Sequence, residues 1–282
     1  MRRAVRRMPW LVALAVMTVW SIFPIYWAVN TSFMTSNAAQ SRPVHFVPPH
    51  PTLANYEAIF GIGAAGTELT AGVLRSLVNI TIESAGATIL TIVIAVPAAY
   101  AFARMQFRLK SLVFYVVLAT LALPVYATLI PLYRIMSDLG LVNTYLGIIL
   151  VYTSGFLPLA MWIMYSFFSA LPGSIEDAAL VDGSSRFGAF WRIACPIAVP
   201  GIAATSIVTF LFGWGQFIFP LVLSSGVSTE PLTVVLAALE GRHVVPFTLI
   251  NSAAVIAVAV PALIAIVLNR WLVSGILAGS VK

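Results

Sequence analysis

Apolar residues run in long unbroken stretches along this chain, and the polar residues gather in the gaps between them. Six stretches reach the roughly 20 residues that an α-helix needs to cross the hydrocarbon of a bilayer, at about 10–33, 73–103, 112–133, 143–168, 196–223 and 246–273. The pattern predicts an all-α membrane protein, a single transmembrane domain over 1–282 with six spanning helices and both termini on one side. Segments 34–72 and 224–245 then face one compartment, and the polar stretch 174–196 faces the other.

Basic residues set the orientation, because short cytoplasmic loops carry an excess of Lys and Arg. With the N-terminus inside, the cytoplasmic side holds Arg2, Arg3, Arg6, Arg7, Arg104, Arg108, Lys110, Arg186, Arg192, Arg270 and Lys282, whereas only Arg42, Arg75, Arg134 and Arg242 fall outside. The bias therefore predicts cytoplasmic termini, external 34–72 and 224–245, and a cytoplasmic 174–196. Arg2 to Arg7 precede an apolar run too long for a signal-peptide core and without a clear cleavage site, so the run is expected to stay as the first span.

The longest charged interruption is Ser174–Pro196, SIEDAALVDGSSRFGAFWRIACP. Ser174 followed three residues later by Asp177 reads as a capping box, with Glu176 and Asp177 in the first turn, where the helix dipole favours acids. Pro172 and Gly173 are expected to close the preceding helix. Ala178, Ala179 and Gly183 give the new helix a small-residue face, and Asp182-Gly183 is expected to stop it. Ser184 or Ser185 can cap a second short piece carrying Arg186, Phe187, Phe190, Trp191 and Arg192, up to Pro196.

Glu176-Asp177-Ala178-Ala179, Asp182-Gly183, Ile193 and Pro196 resemble the EAA loop of binding-protein-dependent ABC importers. Ala98-Ala99-Tyr100-Ala101-Phe102-Ala103-Arg104, Pro131-Leu132-Tyr133, Gly140-Leu141-Val142-Asn143-Thr144, Gly275-Ile276 and Gly279-Ser280-Val281-Lys282 extend the similarity to the smaller permease subunit of maltose- and trehalose-type sugar importers. The chain departs from that pattern at Asp177, Cys195 and Asn79-Ile80-Thr81. The resemblance implies the type I permease fold, with Glu176, Asp177, Ala178, Ala179, Asp182 and Gly183 in a coupling helix that docks on an ATPase. It further implies a bacterial inner-membrane complex of this chain, a second homologous permease, two ABC ATPase subunits and an external sugar-binding protein. Glu230-Pro231-Leu232-Thr233, by order along the chain, correspond to the loop that reaches the binding protein. A disaccharide such as trehalose or maltose is the implied cargo, and another small polar solute is the alternative.

Composition agrees with the membrane reading. Hydrophobic residues make up 61% of the chain and charged residues 9%, with a mean hydropathy of +1.01, against roughly 25% charged in soluble domains. The net charge of +6 is scattered at the ends of apolar runs, which argues against nucleic acid as a partner. A lone Cys195 and three distant histidines, His45, His50 and His243, give no disulfide and no metal spacing. No GxxxxGK[ST] motif occurs, so ATP and Mg are expected on partner subunits and no cofactor or catalytic residue on this chain.

Candidate solute contacts are few. Glu83 is the one acid well inside an expected span, and an intramembrane carboxylate marks a functional position by default. Asn79 lies one turn away on the same face; together they can meet a sugar, or bond to a neighbouring helix. Gly213-Trp214-Gly215-Gln216 offers glycines for close backbone approach, with Trp214 and Gln216 as a stacking face and an amide; Trp214 can equally be an interfacial anchor. A secondary transporter, the other transport class, is expected to show internal repeats and interrupted helices around a midplane ion site, and neither is visible.

Overall fold

The computed structural model describes residues 2–62, 68–224, 226, 228–241 and 245–280, and the side chains of these apart from 2–9, 68–71 and 269–280. The side chains of Arg2, Arg3, Arg6, Arg7 and Arg270, and the whole of Arg242, His243, Val281 and Lys282, lie outside the described residues. Those that are described form helices and connections, with no strand among them.

In chain order the helices are α1 (Arg2–Ser32), α2 (Ser36–Ala39), α3 (Ala54–Ile59), α4 (Glu68–Arg104), α5 (Lys110–Ala119), α6 (Val125–Asp138), α7 (Tyr145–Ala170), α8 (Gly173–Val181), α9 (Arg186–Ala189), α10 (Cys195–Trp214), α11 (Ile218–Leu223), α12 (Leu232–Glu240) and α13 (Phe247–Ser280). Among the described residues, five helical runs are long and apolar enough to cross a membrane, and α5 with α6 make a sixth if the bent pair is taken as one span. At 37 residues, α4 is about 55 Å long by the α-helical rise of 1.5 Å per residue, so it outruns the ~30 Å hydrocarbon layer and must carry its end out of it.

The expected run 112–133 is not one helix. α5 tightens into a 3-10 turn at Thr120–Ala122, Leu123 and Pro124 are extended, and α6 leaves at 103° to α5. The cause is local: the proline ring disfavours the helical region for the residue before it, and Leu123 takes φ −69°, ψ 127°. By contrast, Pro97, Pro131, Pro158, Pro200 and Pro261 sit inside continuous helices. The fifth run also differs, because it begins ten residues before Pro196, as described below.

Close packing gathers the chain into two compact units, 1–75 with 235–260 and 76–234 with 261–282. In the first, the short helix α3 closes the end of α1. Asn55 Nδ2 donates to the Ser32 and Met34 carbonyls at 2.8 and 2.9 Å, while its Oδ1 accepts from Thr248 at 3.3 Å. Ser32 also meets Tyr56 OH at 2.8 Å, and Asn251 donates to Thr31 Oγ1 at 2.7 Å. Carbonyls at a helix C-terminus lack intrahelical donors; here the Asn55 amide serves that of Ser32 together with the carbonyl of Met34 just beyond the helix. Asn55→Ala removes both donations from a site where Thr31 and Ser32 are buried. At about 1 kcal/mol for each lost neutral bond, we expect a lowered thermal unfolding midpoint for the purified protein in detergent; an unchanged midpoint would show that water takes over both bonds.

In the second unit, α7 is the central element, with eleven residues buried along its length. Small residues bring its neighbours close: Ala95 and Ala99 on α4 and Ala198 on α10 are fully buried around Met161, Met164 and Phe168. α10 approaches the α4 backbone closely at Gly213, where a Cβ would lie 3.0 Å from Ser84 Cα. Asn143 and Thr144 of the Gly140–Thr144 motif start α7, Thr144 Oγ1 accepting from the Gly147 amide at 3.1 Å.

Candidate functional site

Chain direction reverses between α7 and α10, and the polar stretch forms that reversal. Leu171 (φ −71°, ψ 139°) and Pro172 (φ −61°, ψ 126°) are extended, and α8 begins at Gly173 with Pro172 as its N-cap. The expected capping box is therefore absent. Proline before Gly173 sets the helix start two residues early, which puts Ser174 inside the helix and moves Asp177 beyond the first turn. Pro172 closes α7, since a proline holds the residue before it, Leu171, out of the helical region, and it also caps α8, which opens at Gly173.

The C-terminus of α8 follows the sequence expectation. Asp182 is the C-cap and Gly183 adopts φ +87°. The Gly183 amide donates to the Leu180 carbonyl at 3.1 Å and the Ser184 amide to the Ala179 carbonyl at 2.9 Å. This pair of bonds is the Schellman arrangement, which satisfies carbonyls that the helix leaves open and requires a left-handed residue at Gly183.

Of the two candidate caps, Ser185 is used: its Oγ accepts from the Gly188 amide at 3.1 Å. The expected separate short piece does not end at Pro196. α9 continues through a π-helical turn, Phe190–Ala194, into α10, so one helical run extends from Arg186 to Trp214. Pro196 has no N–H to give to the preceding turn, and a wider π turn just upstream is a common way for a helix to absorb such a defect.

These turns sort the side chains into two faces. Ala179, Ala189, Phe190 and Ala194 are buried against the protein's own second unit. Ala179 thus points inward, away from the exposed small face expected for it, while Ala178, Asp177, Asp182 and Gly183 are exposed. Val181 is 87% exposed, Phe187 73% and Trp191 56%. An exposed apolar patch rimmed by acids is a candidate contact surface, for protein or for membrane. Val181, Phe187 and Trp191 were not distinguishable as contact residues by type alone; the helix register that exposes them depends on the start at Gly173 and the π turn.

Glu176 does not join the exposed face. Its Oε1 lies 2.9 Å from Arg104 Nε, and its Oε2 accepts from Tyr100 OH at 3.0 Å. The first contact is an ion pair without an aligned hydrogen bond, since Arg104 Nε–H has no acceptor in line. Arg104 Nη2 also donates to the Leu171 carbonyl at 2.5 Å. Tyr100 packs edge-on against Phe168, with centroids 5.5 Å apart, and lies 4.8 Å from the Phe190 ring. Between Arg104, Glu176 and Arg186 a cavity of about 220 Å³ remains.

The solute-facing candidates lie elsewhere in the second unit and do not form one open surface. Asn79 is buried, donating to the Glu230 carbonyl at 2.9 Å and accepting from Tyr145 OH at 2.7 Å. It bonds within the chain, the second of the two roles open to it. Trp214 is buried, with its ring stacked 5.7 Å from Phe210. Gln216 is partly exposed, and its carbonyl accepts from Thr233 Oγ1 at 2.6 Å. Glu83 is wholly buried, and neither carboxylate oxygen has a hydrogen-bond partner; Ser84 Oγ and Tyr152 OH are also buried without one. In the loop, Pro231 and Leu232 are buried, so Glu230 and Thr233 are its accessible members.

Known proteins with this architecture were found by sequence and by structure. The sulfoquinovosyl glycerol transport system permease protein of Agrobacterium fabrum is 31% identical over 96% of this chain and 92% of its own. The diacetylchitobiose uptake system permease protein of Streptomyces coelicolor is 31% identical over 95% of this chain and 87% of its own. An osmoprotective compounds uptake permease protein of Synechocystis is 36% identical over 79% of this chain and 76% of its own. The crystal structure of a bacterial ABC transporter involved in the import of the acidic polysaccharide alginate contains a chain that superposes with a TM-score of 0.81 at 19% identity, covering 96% of this chain and 97% of that one. That likeness shows the fold, the type I ABC importer permease. Residues 91–277 match the model of the binding-protein-dependent transport system inner membrane component, and the chain belongs to that family.

Proposed function

We propose that this chain is the permease subunit of an ATP-driven importer that moves a sugar into the cytoplasm, with ATP hydrolysed on separate subunits. The observation that carries the reading is the exposed face of α8 and the π turn, where Ala178, Val181, Gly183, Phe187 and Trp191 stand free beside Asp177 and Asp182. In a family of binding-protein-dependent permeases such a face is suited to an ATPase subunit, and the absence of a phosphate-binding glycine loop from the sequence supports placing hydrolysis there. The complex then comprises this chain, a second homologous permease, two ATPase subunits and an external binding protein. Sugar cargo is supported by relatives named for glycosides; a disaccharide such as trehalose or maltose is the narrower form of the proposal.

Contact and orientation are tested together in a Cys195→Ser background. A crosslinker on Val181→Cys, 87% exposed on this face, should capture the ATPase subunit and not the binding protein. An impermeant maleimide should label Ser184→Cys and Ser228→Cys from opposite sides of the membrane; labelling from one side would overturn the topology in which the termini and 174–196 are cytoplasmic. Uptake of a labelled panel including trehalose, maltose and diacetylchitobiose by the reconstituted complex identifies the cargo.

Gln216 and Glu83 are the positions we assign to the solute path, and Glu230 with Thr233 to contact with the binding protein. A buried carboxylate without a partner is costly, which supports a role that provides one when the bundle opens. Glu83→Gln keeps the volume and removes the charge, and should raise the KM for uptake by about tenfold, the loss of roughly one charged hydrogen bond. An unchanged KM assigns Glu83 to the interior of the bundle.

A further inference from the structure

Tyr100 and Arg104 of one motif meet Glu176 of another, 76 residues along the chain from Tyr100, at a single carboxylate. Tyr100 and Arg104 are one turn apart on the same face of α4, at the end that its length carries beyond the hydrocarbon, and both reach Glu176 of α8. The Arg104 and Glu176 side chains are only 19% and 13% exposed. Arg104 holds a third element through the Leu171 carbonyl that ends α7, and the Tyr100 ring is lodged between Phe168 of α7 and Phe190 of the π turn leading into α10. Four helical elements of the second unit are thereby bound through three side chains.

We infer that Glu176 is a positioning residue: with Arg104 and Tyr100 it forms the joint through which displacement of α8 is passed to α4, and it is not a contact for the ATPase. This deepens the proposed function and rests on it, because a joint matters only if α8 is pushed from outside. The direction of the side chain supports the assignment. Glu176 points to α4, whereas Asp177 and Asp182 on the same helix point outward. The chemistry supports it as well. A shielded ion pair closed by a phenol hydrogen bond resists shear in a way that a solvated surface pair does not, and the carbonyl bond of Arg104 keeps α7 in register with both.

The test is a charge exchange in the full complex, reading solute imported per ATP hydrolysed. Arg104→Glu and Glu176→Arg should each lower that ratio by about tenfold, since either one leaves two like charges in a shielded site. The double exchange restores the pair and should recover the ratio to within about threefold, allowing for the lost fit of arginine to the Leu171 carbonyl. Tyr100→Phe keeps the ring between Phe168 and Phe190 but loses the bond to Glu176, and should lower the ratio by about threefold. A purely structural role would change the amount of assembled complex and leave the ratio intact. If Glu176→Arg lowers the ratio and the double exchange does not restore it, or if the ratio is unmoved in every variant, the joint is overturned. Capture of the ATPase through Val181→Cys is scored separately: its failure in the unaltered background removes the docking reading, while its success alongside failed restoration removes only the joint.

Discussion

Replacing Gly183 by aspartate abolishes binding-protein-stimulated ATP hydrolysis and uptake, while the permease remains in the membrane at its normal level. The expectation rests on backbone geometry. At φ +87° an L-residue costs roughly 1–2 kcal/mol, and the two hydrogen bonds that end α8 depend on that conformation. Apart from its chain neighbours, no described residue lies within 4 Å of the position a Cβ would take, so the substitution does not press on the described bundle. The damage falls on the direction of the turn between Val181 and Phe187, and on the face beside it, where a second acid next to Asp182 adds like charge. Gly183→Asn, a residue that enters the left-handed region more readily, should keep part of the stimulated rate, and Gly183→Ala should fall between the two. A rate that is normal in the aspartate variant would remove α8 from the coupling path.

The second large effect is expected at Gly213. Its Cβ position is 3.0 Å from the backbone of Ser84, and a backbone cannot give way as the end of a side chain can. Overpacking at a close contact typically costs about 1–3 kcal/mol, and leucine here adds a whole side chain between α4 and α10. Gly213→Leu should strip the permease from the purified complex, and Gly213→Ala should lower its thermal midpoint. Gly215, two residues on, is exposed, and its Cβ would meet only its own helix at 3.5 Å. Gly215→Ala should therefore leave assembly within experimental scatter. Equal losses at both glycines would mean that general helix propensity, and not the α4–α10 approach, sets the effect.

Much of the architecture was legible because the bilayer imposes a simple rule, a long apolar run for each crossing. The runs at α1, α4, α7 and α13 follow from it directly. The break in the third run was also written in the chain, at Pro124, but hydropathy does not weigh backbone dihedrals, and α5 and α6 are both apolar. The end of α8 was readable from Asp182-Gly183 because only a left-handed residue fits there. Its start was misjudged, since Ser174 and Asp177 have the right types for a cap while Pro172 fixes the boundary first. The partners of Glu176 could have been suspected from Tyr100 and Arg104, a polar pair at helical spacing closing an apolar run. What no single sequence reveals is which of several acids such a pair will meet, because that depends on how α4, α7 and α8 converge. Asn79 illustrates the same limit: its type suggested a sugar or a helix, and only the path of the loop through Glu230 decides that its amide bonds within the chain.

The uninterrupted run from Arg186 to Trp214 has a consequence for scale. Its 29 residues make a rod about 43 Å long at 1.5 Å per residue. Phe187 and Trp191 lie at one end and Trp214 at the other. Were the chain to unwind at Pro196, a push on Phe187 would be dissipated in the turn. As a single rod pivoting near its base, it converts a tilt of only about 10° into a sweep of roughly 7 Å at Trp214, comparable to the width of a sugar ring. If an ATPase docks on the exposed aromatic end as proposed above, a small angular step there would, by leverage alone, move the far end by the width of a solute.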